Sequence, residues 1–89
     1  MNKTIKAMVS GKVQGVWFRA STKKEAQKLT LHGYAKNLSN GNVEVMATGK
    51  QKDVEALVVF LSQGPESAVV EDLQWQWVDE KMFAQFYIF

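Results

Sequence analysis

The 89-residue chain has no cysteine, one proline, one histidine and, among eleven basic residues, one arginine, Arg19. Without cysteine there is no disulfide and no thiolate chemistry, so stability must come from the packed core and nothing calls for an oxidising compartment. No segment approaches membrane-spanning length, and "MNKTIKAMVS" alternates polar and apolar residues instead of forming a secretory apolar stretch. We therefore expect a soluble cytoplasmic protein with no membrane association. There is no repeat, linker or low-complexity run, and 89 residues suffice for one core, so residues 1–89 read as a single domain. Hydrophobic content of 46% with 22% charged residues fits a globular chain and not a disordered one.

Acidic residues are also missing from the first 24 positions, which carry Lys3, Lys6, Lys12, Arg19, Lys23 and Lys24, a local balance of +6. The remainder holds five lysines and nine acids, a balance of −4, and the whole sums to +2. A cationic first segment suits an anionic partner, although a solvated lysine surface accounts for the asymmetry equally well.

Periodicity supplies the element order. Ile5, Ala7 and Val9 alternate in a strand over Thr4–Ser10. Gly11 to Val16 reads as a turn, and "ASTKKEAQKL" lies in a helix from about Phe18 to Thr30 with Ala26 and Leu29 inward and Gly33 as its stop. "GYAKNLS" and "NVEVMAT" flank "SNGN", where Asn-Gly predicts a two-residue hairpin turn with positive φ at both central positions. Gly49 closes that strand. Val54, Leu57, Val58 and Leu61 share one face of a helix over about Lys50–Gln63, broken by Gly64-Pro65. A strand over Val69–Val78 carries Leu73, Trp75 and Trp77 on one face, and "FAQFYIF" is a last strand.

The order β-α-β-β-α-β, with one strand more, predicts an α+β ferredoxin-like sandwich: an antiparallel sheet of four to five strands with two helices on one face. Strands 1 and 2 then finish at the same edge, roughly 10 Å apart with strand 3 between them. The glycine turn and the end of strand 2 near Asn37 face a shared cleft.

In "GKVQGVWFR" the glycines allow successive main-chain N–H groups to converge on an anion. The helix that starts next aims its unpaired N–H groups the same way. Arg19, in the first helical turn, works against the helix dipole but offers a fork of donors matched to phosphate oxygens. The turn suits a phosphate-sized anion. It is not a nucleotide-hydrolase loop, because Val16-Trp17 follows Gly15 where Lys-Ser/Thr is required, and no nearby acid can hold Mg²⁺. Glycine spacing alone would fit a plain strand-to-helix turn equally.

Residues 11–19, "GKVQGVWFR", and 33–49, "GYAKNLSNGNVEVMATG", together resemble the two signatures of the acylphosphatase family, and the similarity extends over nearly the whole chain. The resemblance implies hydrolysis of the carboxyl–phosphate bond of a small acyl phosphate. It implies that the backbone of Gly11, Lys12, Val13, Gln14, Gly15 and Val16 cradles the phosphoryl group, that Arg19 clamps it, and that Asn37 positions the attacking water. Neither metal nor cofactor is expected, nor a nucleic-acid partner, and the chain is expected to be a monomer. Many members carry a basic residue near the end of the last strand, where this chain reads "FYIF".

Elementary chemistry agrees with those roles. Without cysteine, and with His32 expected at the helix end outside the cleft, a covalent phospho-enzyme lacks its usual nucleophiles. An amide oxygen can aim a water, which suffices when the transition state is loose and the leaving group is a carboxylate. Lys12 and Lys36 flank the cleft, either to steer substrate or simply solvated. Trp17 and Phe18 border it, with Phe18 the better core candidate. A non-catalytic anion- or RNA-binding module on the same topology is the alternative, although strand 3 offers Glu44 where an RNA-binding sheet needs an aromatic. A regulatory domain handling carbamoyl phosphate, such as occurs inside larger hydrogenase-maturation proteins, ranks below both.

Overall fold

Ile5, Ala7 and Val9 alternate with more exposed residues inside β1 (Asn2–Lys12), which buries all three. The computed structural model describes residues 1–89 and continues through α1 (Phe18–Lys28), β2 (His32–Asn37), β3 (Val43–Lys50), α2 (Gln51–Gln63), β4 (Val69–Val78) and β5 (Phe86–Ile88). The strands lie in the order β4-β1-β3-β2-β5. Contacts among β1, β3, β2 and β4 are antiparallel as expected, whereas β5 joins the edge of β2 in parallel, so the sheet is mixed.

Both helices pack on one face. Helix α1 buries Phe18, Thr22 and Ala26, and α2 buries Val54, Leu57 and Leu61, against Val43, Val45 and Ala47 of β3 and Ala35 of β2. Leu29 is only partly buried. Leu73 packs against the edge of this core, while Trp75 and Trp77 remain partly exposed in a T-shaped pair at 5.3 Å.

Three glycines have other reasons for being glycine than those expected. Gly11 does not open the turn: it pairs with Val70 at a register shift in β1, and a Cβ there would collide with the Val69 carbonyl. Gly33 does not end α1. The helix stops one turn earlier, where Leu31 N–H reaches the Ala26 carbonyl and Thr30 N–H the Gln27 carbonyl, with Thr30 itself left-handed at φ 58°. Gly33 lies inside β2, where a side chain would strike the Met46 carbonyl. Gly49 continues β3 instead of ending it and leaves room for the Leu31 side chain. The β2–β3 hairpin also differs. Leu38 N–H bonds the Asn42 carbonyl and Gly41 N–H the Leu38 carbonyl, and only Gly41 has positive φ. This is a three-residue turn with a glycine bulge, not the mirror-image two-residue turn.

Strands β4 and β5 lie at opposite edges, so residues 79–85 must cross the face that the helices leave open. Lys81 is held there through its N–H on Thr4 Oγ1 and its carbonyl on the Thr48 hydroxyl, and the two threonines bond each other at 2.7 Å. His32, which begins β2 and does not close α1, bonds the Phe83 carbonyl through Nδ1 at 3.0 Å. Phe83 meets the Tyr34 ring edge-on.

Tyr34 donates its hydroxyl to Glu44 at 2.6 Å, and Lys6 stands 3.7 Å from the same carboxylate. Burial, and then the Glu44 carboxylate, push the Tyr34 phenol up to about 12. The folded chain therefore keeps a proton that the unfolded chain loses near its ordinary value of about 10. The stability involved is present below that value and lost as pH rises through the folded one. We expect the urea midpoint to fall between about pH 10 and about pH 12, and to fall less in Tyr34→Phe, which cannot ionise.

Candidate active site

Strand β1 delivers the chain into a loop over residues 13–17 that runs directly into α1. Val13 is buried at its base, and Gly15 takes φ 73° with open space where a Cβ would lie. The backbone conformation, not crowding, requires glycine there. Trp17 precedes α1 in the left-handed region at φ 64°, a position that costs a side-chain-bearing residue about 1 kcal/mol. Gly11 and Lys12 belong to β1, paired with Val70 and Val69, so the curved part of the expected phosphate cradle is narrower than the Gly11–Val16 segment.

Side chains fasten this loop to its surroundings. Gln14 Nε2 donates to the carbonyls of Leu38 and Asn42, at 2.7 and 2.8 Å, and so ties the loop to the hairpin that follows Asn37. Ser67 donates its hydroxyl to the Val16 carbonyl at 2.9 Å.

Arg19 and Asn37 are brought together by one oxygen. Arg19 Nη1 donates to the main-chain oxygen of Phe89 at 2.7 Å, and Asn37 N–H donates to the same atom at 3.3 Å. Phe89 is fixed in turn: its N–H reaches the Ala35 carbonyl, and its ring lies 5.7 Å from Tyr34 and stacks with Tyr87. At the last strand, where "FYIF" carries no basic side chain, Arg19 is met by main chain. No sequence signature marks a main-chain oxygen, which is why Phe89 escaped the sequence reading.

The side-chain oxygen of Asn37, Oδ1, is buried and has no hydrogen-bond partner in the chain. An unpaired buried acceptor costs about 1–3 kcal/mol unless water or ligand satisfies it. Among the residues expected near the cleft, Lys36 goes elsewhere. It alternates with Asn37 to the opposite face of β2 and stands across from Glu44. Lys12 is exposed at the end of β1, and His32 lies at the far end of β2 from Asn37.

Beside the loop opens a hollow of about 430 Å³, bounded by Val13, Gly15, Arg19 and apolar residues of α1 and β5. No group of three or more His, Asp or Glu side chains is close enough to hold a metal ion, and no helix is long and apolar enough to cross a membrane.

The family model described as Acylphosphatase matches residues 5–88, almost the full length. The chain belongs to the acylphosphatase family. An acylphosphatase of Hahella chejuensis is 49% identical over 75 residues, covering 84% of this chain and 80% of the relative. One from Colwellia psychrerythraea is 40% identical over 87 residues, covering 94% and 98%. The solved structure of an acylphosphatase from Coxiella burnetii superposes with a TM-score of 0.94 at 39% identity, covering 98% of this chain and 92% of that one. Acylphosphatase membership makes the chain an enzyme acting on small acyl phosphates.

Proposed function

We propose that the enzyme hydrolyses its acyl phosphate by direct attack of water on phosphorus. The observation that carries this reading is the shared Phe89 main-chain oxygen, which holds Arg19 and Asn37 beside each other near the glycine loop. Main-chain N–H groups of the loop, within Gly11–Val16, and the Arg19 guanidinium hold the phosphoryl oxygens. Asn37 Oδ1 accepts a hydrogen bond from a water and aims one of its lone pairs at phosphorus. The bond from phosphorus to the acyl oxygen breaks, and the carboxylate leaves with the electron pair. The bond from water oxygen to phosphorus forms, and the water's proton passes to the phosphate product or to solvent. A loose transition state needs little deprotonation of the water beforehand, and a carboxylate needs no acid to leave. Positioning and charge stabilisation then supply the acceleration.

The reading extends to a metal-free monomer of one domain acting in the cytoplasm. Metal independence is supported by the lack of any acid among the first 24 residues, which include the loop and Arg19, so that nothing beside the loop suits Mg²⁺. The RNA-binding alternative loses support from the open sheet face, which residues 79–85 cross and where Tyr34 is engaged with Glu44. Steady-state hydrolysis of benzoyl phosphate tests the proposal. We expect turnover that inorganic phosphate inhibits competitively and that EDTA leaves unchanged. Activity lost to EDTA and restored by a divalent cation would overturn the metal-free mechanism.

A further inference from the structure

We infer that the hollow beside the phosphate loop is a subsite for the acyl group, built for an uncharged apolar chain or ring, with Trp17 setting that preference. This rests on the proposed phosphoryl site. Val13, Gly15 and Arg19, assigned to the phosphoryl group, line one part of the hollow, so a substrate held there places its acyl portion in the remainder, toward Trp17, Ala20 and Ile88. At about 430 Å³ the space falls in the range of roughly 300–1,000 Å³ typical of small-molecule sites.

Its walls select by chemistry. Phe18 and Ala20 come from the first turn of α1 and Ile88 from β5, and Arg19 is the only charged residue among those that line it. An apolar acyl group would remove water from Trp17, Ala20 and Ile88 as it binds, over a floor closed by the buried Phe18. A second anionic group would meet no second cation among the residues that line the hollow and would compete with the phosphoryl group for Arg19.

Trp17 is the feature that the fold leaves unexplained. Phe18, its neighbour, is 1% exposed in the core, whereas Trp17 is 79% exposed and borders the hollow. Its ring takes part in none of the aromatic pairs of the chain. It also occupies a left-handed position that glycine or asparagine would fill with less strain. A large exposed ring kept at a strained position beside a binding loop fits a ligand contact better than a structural one.

The experiment compares kcat/KM for benzoyl, acetyl and 4-carboxybenzoyl phosphate in wild type, Trp17→Asn and Trp17→Phe. Wild type should prefer benzoyl over both others. Trp17→Asn, which suits the left-handed backbone, should lower the benzoyl-to-acetyl ratio by about tenfold, and Trp17→Phe should retain most of it. An unchanged ratio in Trp17→Asn would overturn the subsite, as would equal losses in Asn and Phe variants. A second measurement is independent of turnover. In a Trp75→Phe/Trp77→Phe background the remaining tryptophan fluorescence should respond to benzylphosphonate at about tenfold lower concentration than to methylphosphonate. Equal saturation by both would overturn the subsite even if hydrolysis proceeds. Absence of hydrolysis with benzylphosphonate still preferred would instead count against the catalytic reading alone.

Discussion

Arg19→Ala is expected to lower kcat/KM for benzoyl phosphate by roughly a thousandfold or more, and to abolish inhibition by inorganic phosphate at the same time. The two losses travel together because one guanidinium is assigned to the phosphoryl oxygens both in the ground state and as charge redistributes in the transition state. Arg19→Lys should recover little. A lysine has one ammonium on a flexible stem, whereas a guanidinium can donate to the Phe89 main-chain oxygen and to phosphate through different nitrogens. The folded state should be nearly indifferent to the change, since the side chain makes a single exposed hydrogen bond. A matching urea midpoint would separate lost function from lost structure. Phosphate inhibition that survived in Arg19→Ala would show that the loop alone binds the anion and would remove Arg19 from the site.

What could be read from residues alone follows from how local each cause is. The alternation of Ile5, Ala7 and Val9 and the helical spacing of Val54, Leu57 and Leu61 act through neighbours, and both elements form with those residues buried. Arg19 and the glycine loop were legible because strand, turn and helix are contiguous. The nearness of Asn37 to the loop was legible through topology, because parallel β1 and β2 flanking β3 bring their ends to one edge, whereas the role proposed for it came with the acylphosphatase resemblance. The three reassigned glycines depend instead on what lies across from them: a carbonyl of Val69, a carbonyl of Met46 and the side chain of Leu31. Those partners are 58, 13 and 18 positions away by residue number, beyond the reach of any turn or cap rule. The parallel placement of β5 depends likewise on residues 79–85 binding Thr4 and Thr48 on the open face. Gln14 was counted for its backbone, but its side chain is what ties the loop to the β2–β3 hairpin.

The same distinction explains how the site is held. Neither residue assigned to the chemistry is positioned by its own element alone. Arg19 sits in the first turn of α1 and Asn37 at the last position of β2, where local geometry is loosest. The Phe89 main-chain oxygen couples the two, and Phe89 is seated by the Ala35 carbonyl and by Tyr34 and Tyr87. An outermost strand placed parallel to β2 is thus what brings a main-chain acceptor to the mouth of a loop at the other end of the sequence.

Asn37→Ala is expected to separate binding from turnover where Arg19→Ala does not. With Oδ1 removed, the water loses the acceptor that orients it, and kcat should fall by about a hundredfold or more, the scale associated with misplacing a reacting group by roughly an ångström. Phosphate inhibition should change little, because the loop and Arg19 remain and the Asn37 N–H on Phe89 is main chain, untouched by the substitution. Stability should rise slightly or stay level, since the change deletes a buried acceptor that has no partner in the chain. Asn37→Asp is the sharper variant. It preserves shape and an acceptor oxygen but places a negative charge against the phosphoryl group, so KM should rise as kcat falls. Wild-type turnover in Asn37→Ala would remove the water-orienting role, and with it the reason for an unpartnered amide oxygen at the end of β2.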